Sequence, residues 1–321
     1  MQSPNSEKLI TLIGGSGFVG RHIVRNLAKR GYRIRVACRR PDLAGHVLPL
    51  GTPGQIALMQ ANVRYPASVA AACEGAYAVI NLAAVFHNGR AQSYQGVHVF
   101  GAEAVAKAAK AAQAKLLIHV SGLGASDESL NPYVKSRGEG EDKARANFPG
   151  VIILRPSVIF GPEDRFLNKI AELARFSPVV PVIGADAKLQ PVFVGDVAEA
   201  AATLVDRGVA DGKTYELGGP DVKNNREVTN FVLGAAMRKR LLPSLPFGLA
   251  KFGAMLTGWI PGAPITTDQV ALLQDDNVVS SAAEAEGRTL KGLGIAARGM
   301  DSIAPSYLYR YRKSGQFTAR A

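Results

Sequence analysis

KLITLIGGSGFVGRHIVRNLAKRG, running from Lys8 to Gly31, decides the fold. Residues 8–13 are a short apolar run that ends in glycines, the pattern of a buried strand. From Phe18 the apolar residues recur at helical spacing and stop at Gly31, a usual place to close a helix. Between strand and helix stand Gly14, Gly17 and Gly20, with two residues separating each pair. The first glycine permits a tight turn, the second lets the backbone approach a pyrophosphate, and the third lets helix and strand pack closely. The helix start adds free N–H groups and the positive end of its dipole. The expectation is a dinucleotide-binding loop.

Working outward, YRIRVACRR reads as a second strand, IALMQANV as a third, AYAVINLAA as a fourth, KLLIHVSG as a fifth and GVIILRPS as a sixth. Helical stretches separate most of them, most plainly Val99 to Gln113. Strands and helices alternating at this pace predict α/β: a Rossmann-type doubly wound parallel sheet with helices on both faces. After Gly161 the rhythm loosens into shorter strands at PVVPVIG, LQPVFVGDV and KTYELGGP. The expected organisation is a core over residues 1–160. A smaller C-terminal lobe over 161–321, partly woven with the core, closes over it.

The strand after the first helix ends in Arg39 and Arg40. A site that prefers NAD places a carboxylate there for the ribose hydroxyls, whereas an arginine fork binds a 2′-phosphate. NADPH is therefore expected over NADH. With 321 residues, 47% hydrophobic, the chain can bury a large core. Its two cysteines, Cys38 and Cys73, lie in apolar stretches and are expected to be buried free thiols, not a disulfide framework. No secretory signal and no spanning helix are expected. The net charge of +12 favours acidic partners, although no nucleic-acid motif accompanies it. The five histidines have no metal-ligand spacing, so no metal is expected. Asp196 is read as a helix N-cap, and Asp164 as a helix cap that docks a neighbouring element.

A second motif is incomplete. NPYVKSRGEGE, Asn131 to Glu141, turns into a helix at Asn131–Pro132 and places Arg137 four residues after Tyr133. Together with the glycine loop, NLAA (Asn81 to Ala84) and LRPSVIFG (Leu154 to Gly161), it resembles the extended and atypical short-chain dehydrogenase/reductase superfamily. The stretch LRPSVIFGPEDRFLN, then LQPVFVGDVAEA, then the tail from LLPSLPFGLAKF through PITTDQVALLQDDNVV resembles one branch: the accessory subunit of respiratory complex I (NADH:ubiquinone oxidoreductase), in its bacterial form. The resemblance covers nearly the whole chain.

That resemblance implies residue roles. Gly14, Gly17, Phe18 and Val19 would cradle the pyrophosphate, with Gly20 completing the loop. Arg39 and Arg40 would meet the 2′-phosphate. Asn62 and Val63 would lie beside the adenine, Ala83 beside the inner ribose, and Pro156, Ser157, Val158 and Ile159 along the nicotinamide. Ser121, Tyr133 and Arg137 would be the vestigial or altered catalytic set, with Tyr133 and Arg137 touching cofactor. In active relatives the position of Arg137 is a lysine, whose compact charge lowers the tyrosine pKa. Arginine keeps the charge but replaces a point-like ammonium with a planar fork. Lys135, two residues along, points to another face.

The resemblance also implies a mainly structural nucleotide, other complex I subunits as partners, and a place at the junction of the peripheral and membrane arms. The segment 238–262 is basic and carries Leu249, Phe252, Leu256 and Trp259 at helical spacing. With the basic C-terminal tail it is expected to meet anionic lipid, peripheral to the cytoplasmic face of a bacterial inner membrane. Two alternatives stand beside this reading. One is a free-standing NADP-dependent reductase, epimerase or dehydratase. The other is a redox-sensing regulator with a protein partner.

Overall fold

The computed structural model describes residues 5–86, 88–89, 92–251 and 267–313. The chain forms two compact units. The first takes residues 1–156, 194–217 and 281–295, and the second takes 157–193, 218–280 and 296–321.

The first unit is built on a seven-stranded parallel sheet. Its strands are β1 (Leu9–Ile13), β2 (Arg33–Cys38), β3 (Ile56–Gln60), β4 (Ala78–Asn81), β5 (Leu116–Val120), β6 (Ile152–Pro156) and, far along the chain, β11 (Thr214–Leu217). Their order is β11-β6-β5-β4-β1-β2-β3. The chain order reverses between β1 and β4, where Ile13 pairs with Asn81 at the carboxyl ends. That crevice is where open α/β sheets bind ligands. Strands β4 and β5 are buried along their whole length, as a sheet covered on both faces requires. KTYELGGP therefore supplies β11, the edge strand paired in parallel with β6.

Helices α1 (Phe18–Lys29), α2 (Pro66–Cys73), α3 (Phe100–Ala111), α4 (Pro132–Asn147) and α6 (Val194–Arg207) cover the sheet. Arg30, just past α1, holds Glu199 and Asp206 of α6. Asp196 lies inside the first turn of α6 and is buried, so it is not the N-cap expected from sequence. Both cysteines are free and buried.

In the second unit the two-residue strands β7 (Ile159–Phe160) and β10 (Val192–Phe193) pair in parallel. Between them lie α5 (Leu167–Phe176) and the short strands β8 (Val182–Ile183) and β9 (Lys188–Leu189). Helix α7 (Asn225–Ala235) starts at a capping box between Asn224 and Glu227. Phe160, Leu167, Ala171, Val228, Val232 and Leu308 form the core of this unit. The buried Asp164 carboxylate accepts hydrogen bonds from the N–H groups of Gly161, Phe166 and Asn168 and from the Tyr307 hydroxyl. It therefore fixes the turn before α5 and docks a neighbouring element.

Candidate nucleotide site

The glycine loop has the geometry its residues predict. Gly14 sits at φ +82°, a conformation side chains rarely adopt, and its N–H bonds the carbonyl of Ala37 at 2.8 Å. A Cβ on Gly20 would lie 2.5 Å from the carbonyl oxygen of Gly15. No side chain caps the start of α1. The first-turn N–H groups there form a cradle for an anion. Phe18 and Val19 are half-buried beside it, and Phe18 packs edge-on against His22.

At the end of β2 the two arginines differ. Arg40 is tied to Asp42, donating from Nε at 2.9 Å and from Nη2 at 2.7 Å. Arg39 is exposed and makes no hydrogen bond or ion pair among the described residues. Asn62 Oδ1 accepts from Arg64 N–H at 3.1 Å, which leaves one lone pair free. Val63 is 7% exposed and belongs to the core against Gly101, where an added Cβ would meet it at 2.9 Å.

A polar cluster lies beneath Tyr133. Helix α4 is drawn close by its glycines. A Cβ on Gly138 would come within 2.3 Å of Asp127 N, and one on Gly140 within 2.4 Å of the His98 carbonyl. The buried Glu141 carboxylate accepts from Arg155 at 2.9 and 2.7 Å, pinning α4 to β6. A π-helical turn at Gln95–Val99 carries His98 under the tyrosine. The Tyr133 ring stacks on Phe86 and meets Tyr94 and His98 edge-on, at 5.7 and 5.6 Å between centroids.

His98 Nε2 accepts from Val85 N–H, so Nδ1 carries the proton and donates to Ser136 Oγ at 2.8 Å. His119 Nδ1 accepts from Asn81 Nδ2 at 3.0 Å, and Asn81 Oδ1 in turn accepts from Ala83 N–H. Burial first, then the charge of Arg137, hold both imidazoles down at about 3. Burial raises the Tyr133 hydroxyl above its ordinary value, with Arg137 pulling the other way.

Arg137 is 4% exposed and donates from Nη2 to the carbonyl of Val120. Its Nε and Nη1 have no hydrogen-bond partner, nor has the Oγ of Ser121, which is 6% exposed. Among the described residues no carboxylate pairs with this guanidinium. These three buried polar atoms without protein partners leave donors and an acceptor open to a polar ligand or to water.

The remaining expected residues fall elsewhere. Pro156 ends β6 in the first unit, while Ser157, Val158 and Ile159 begin the second. The Ser157 hydroxyl donates to Asn277 Oδ1 at 2.6 Å, and that same oxygen accepts Val158 N–H. Asn81, His98, His119 and Asn277 escape the sequence reading. Only NLAA, which contains Asn81, and PITTDQVALLQDDNVV, which contains Asn277, gave a signal, because the contacts themselves join residues far apart in the chain. Among the described residues no group of three or more potential metal ligands gathers.

A family of NAD(P)H-binding proteins matches residues 14–160, which form a nicotinamide-nucleotide-binding domain. The mitochondrial NADH dehydrogenase [ubiquinone] 1 alpha subcomplex subunit 9 of Arabidopsis thaliana is 32% identical over 315 residues, covering 95% of this chain and 78% of the relative. The ceramide reductase of Caulobacter vibrioides is 32% identical over 294 residues, covering 87% of this chain and 88% of the relative. The triphenylmethane reductase of a Citrobacter species, solved with NADP(H), superposes with a TM-score of 0.72 over 93% of this chain and 99% of that one at 18% identity, a likeness of fold.

Proposed function

Because this chain belongs to the same family as the mitochondrial NADH dehydrogenase alpha subcomplex subunit 9, we propose that it is an accessory subunit of a respiratory NADH:ubiquinone oxidoreductase. In this reading it holds NADPH as a structural element and helps stabilise the junction of the peripheral and membrane arms. The near full-length kinship carries the assignment. The three unpartnered atoms at Ser121 and Arg137 support a resident ligand.

The residues present fit such a nucleotide. The loop at Gly14, Gly17 and Gly20 and the start of α1 would hold the pyrophosphate. Arg39, without a hydrogen-bond or ion-pair partner among the described residues, would take a 2′-phosphate, while Arg40 must first leave Asp42. Asn62 keeps an acceptor for the adenine amino group. Arg137 and Ser121 would donate to oxygen acceptors of the bound molecule. A bound nicotinamide supplies hydride chemistry, but the protein around Tyr133 favours retention over turnover. Burial raises the tyrosine pKa further from the operating pH, where a general acid works best, and the histidines beneath it are neutral with their acceptor nitrogens engaged. The partners would be other subunits of the complex. The protein would be peripheral to the membrane, on the cytoplasmic face if the cell is bacterial. Residues 252–262 of the basic segment 238–262, and 314–321 of the tail, lie outside the described residues.

A second reading is a free-standing NADP-dependent reductase. It is favoured by the equal identity to a ceramide reductase, combined with Ser121, Tyr133 and a retained cation at Arg137. The two separate on one preparation. Nucleotide extracted from the purified chain should be NADPH, unoxidised after incubation with carbonyl substrates, ceramide precursors included. Rapid oxidation that Tyr133→Phe abolishes would establish the reductase instead.

A further inference from the structure

Three distant stretches of the second unit converge on a surface that is both cationic and apolar. Arg240 donates from Nε to the carbonyl of Ala174 at 2.9 Å, near the end of α5. Arg312 does the same to Ala235 at the end of α7, at 3.0 Å, and Arg238 to the carbonyl of Tyr311 at 2.8 Å. Val180 N–H donates to the Leu241 carbonyl and Leu241 N–H to the Pro178 carbonyl, and Leu242 packs on the cluster of Ala174 and Val180, which lays these residues against the end of α5. Backbone carbonyls thus fix these guanidiniums, and among the described residues none has an acidic partner.

Arg175 lies over the ring of Phe176 at 5.3 Å and also has no carboxylate. Arg238 is held below its ordinary pKa by partial burial and then by the like charge of Arg240 and Arg175. Capping of helix ends accounts for one nitrogen on Arg240 and Arg312. It does not account for Arg175 and Lys239, which hold no helix carbonyl. It also leaves unexplained the large apolar side chains set among them, since Phe176 is 74% exposed and Leu241 71%.

We propose that this patch, built from the end of α5, residues 238–241 and Arg312, seats the subunit on the phosphate headgroups of an anionic membrane. Guanidinium forks match phosphate oxygens. Bulky apolar groups beside basic ones enter the headgroup boundary, as in amphipathic elements that lie on anionic lipid. The proposal rests on the membrane-peripheral reading above. Binding by the isolated chain is measured without the complex, so either can fail alone.

The test is co-sedimentation of the full chain, loaded with NADPH, with phosphatidylcholine vesicles containing about one-third phosphatidylserine, and with pure phosphatidylcholine vesicles. Binding is expected to the anionic vesicles only, and to disappear at high salt. Each cation removed from the patch should cost about fivefold, so Arg175→Glu with Lys239→Glu should weaken binding well over tenfold. Phe176→Ser should weaken it without changing the salt dependence. Lys110→Glu with Lys143→Glu, on the first unit, should leave it intact. Equal losses in both charge variants, or equal binding to neutral vesicles, would overturn the proposal. It would also fall if the chain bound no vesicle but bound acidic subunits of the complex through Arg175.

Discussion

At Arg137 a planar guanidinium fork stands four residues after Tyr133, and it is sealed inside the protein. One nitrogen finds the Val120 carbonyl and two find no protein partner, so they are open to a polar ligand or water. Arg39 makes the matching case at the other end of the nucleotide. Arg39→Asp removes a charge-assisted contact and adds repulsion, which should weaken NADPH about tenfold to a hundredfold and leave NADH nearly unchanged. Titration of both nucleotides against the variant checks this. His98 and His119 carry a pH signature. Both are depressed from an ordinary 6.5 to about 3. Below pH 6.5 the unfolded chain therefore binds more protons, and stability falls as pH drops toward 3. Each should cost about 2 kcal/mol by pH 5. Urea unfolding at pH 7 and pH 5 reads the difference, and His98→Asn with His119→Asn should flatten it.

At the scale of elements, the glycine loop and the alternation of strand and helix were legible because their signals are local, carried in loop spacing and apolar periodicity. Strand β11 was seen, but its place at the edge of the main sheet was not, because nothing local tells a strand which neighbour it will pair with. The cluster under Tyr133 was hidden for a similar reason. His98 meets Ser136 and His119 meets Asn81 across 38 residues in each case, and Asn277 reaches Ser157 across 120. Helix α4 shows how packing constrains one residue. Gly138→Ala would press a Cβ into backbone at 2.3 Å and should destabilise by about 2 kcal/mol despite alanine's better helix propensity. Gly234→Ala in α7 meets nothing within 4 Å and should stabilise by up to about 1 kcal/mol. Thermal unfolding of the pair tests whether close approach, not helix propensity, explains the glycines of α4.

At the scale of the molecule, a nucleotide that binds only the folded chain adds stability with its concentration, about 2.7 kcal/mol at a hundredfold excess over Kd. Melting should rise accordingly with NADPH and much less in Gly17→Val, whose loop cannot accept the pyrophosphate. The central claim is that this stability serves an assembly, and one measurement reaches it most directly. Membranes of the source cells are mildly solubilised, run on a native gel and probed for this chain. The account predicts migration with a large band that oxidises NADH. Migration as a small soluble species, with no trace in that band, would contradict it.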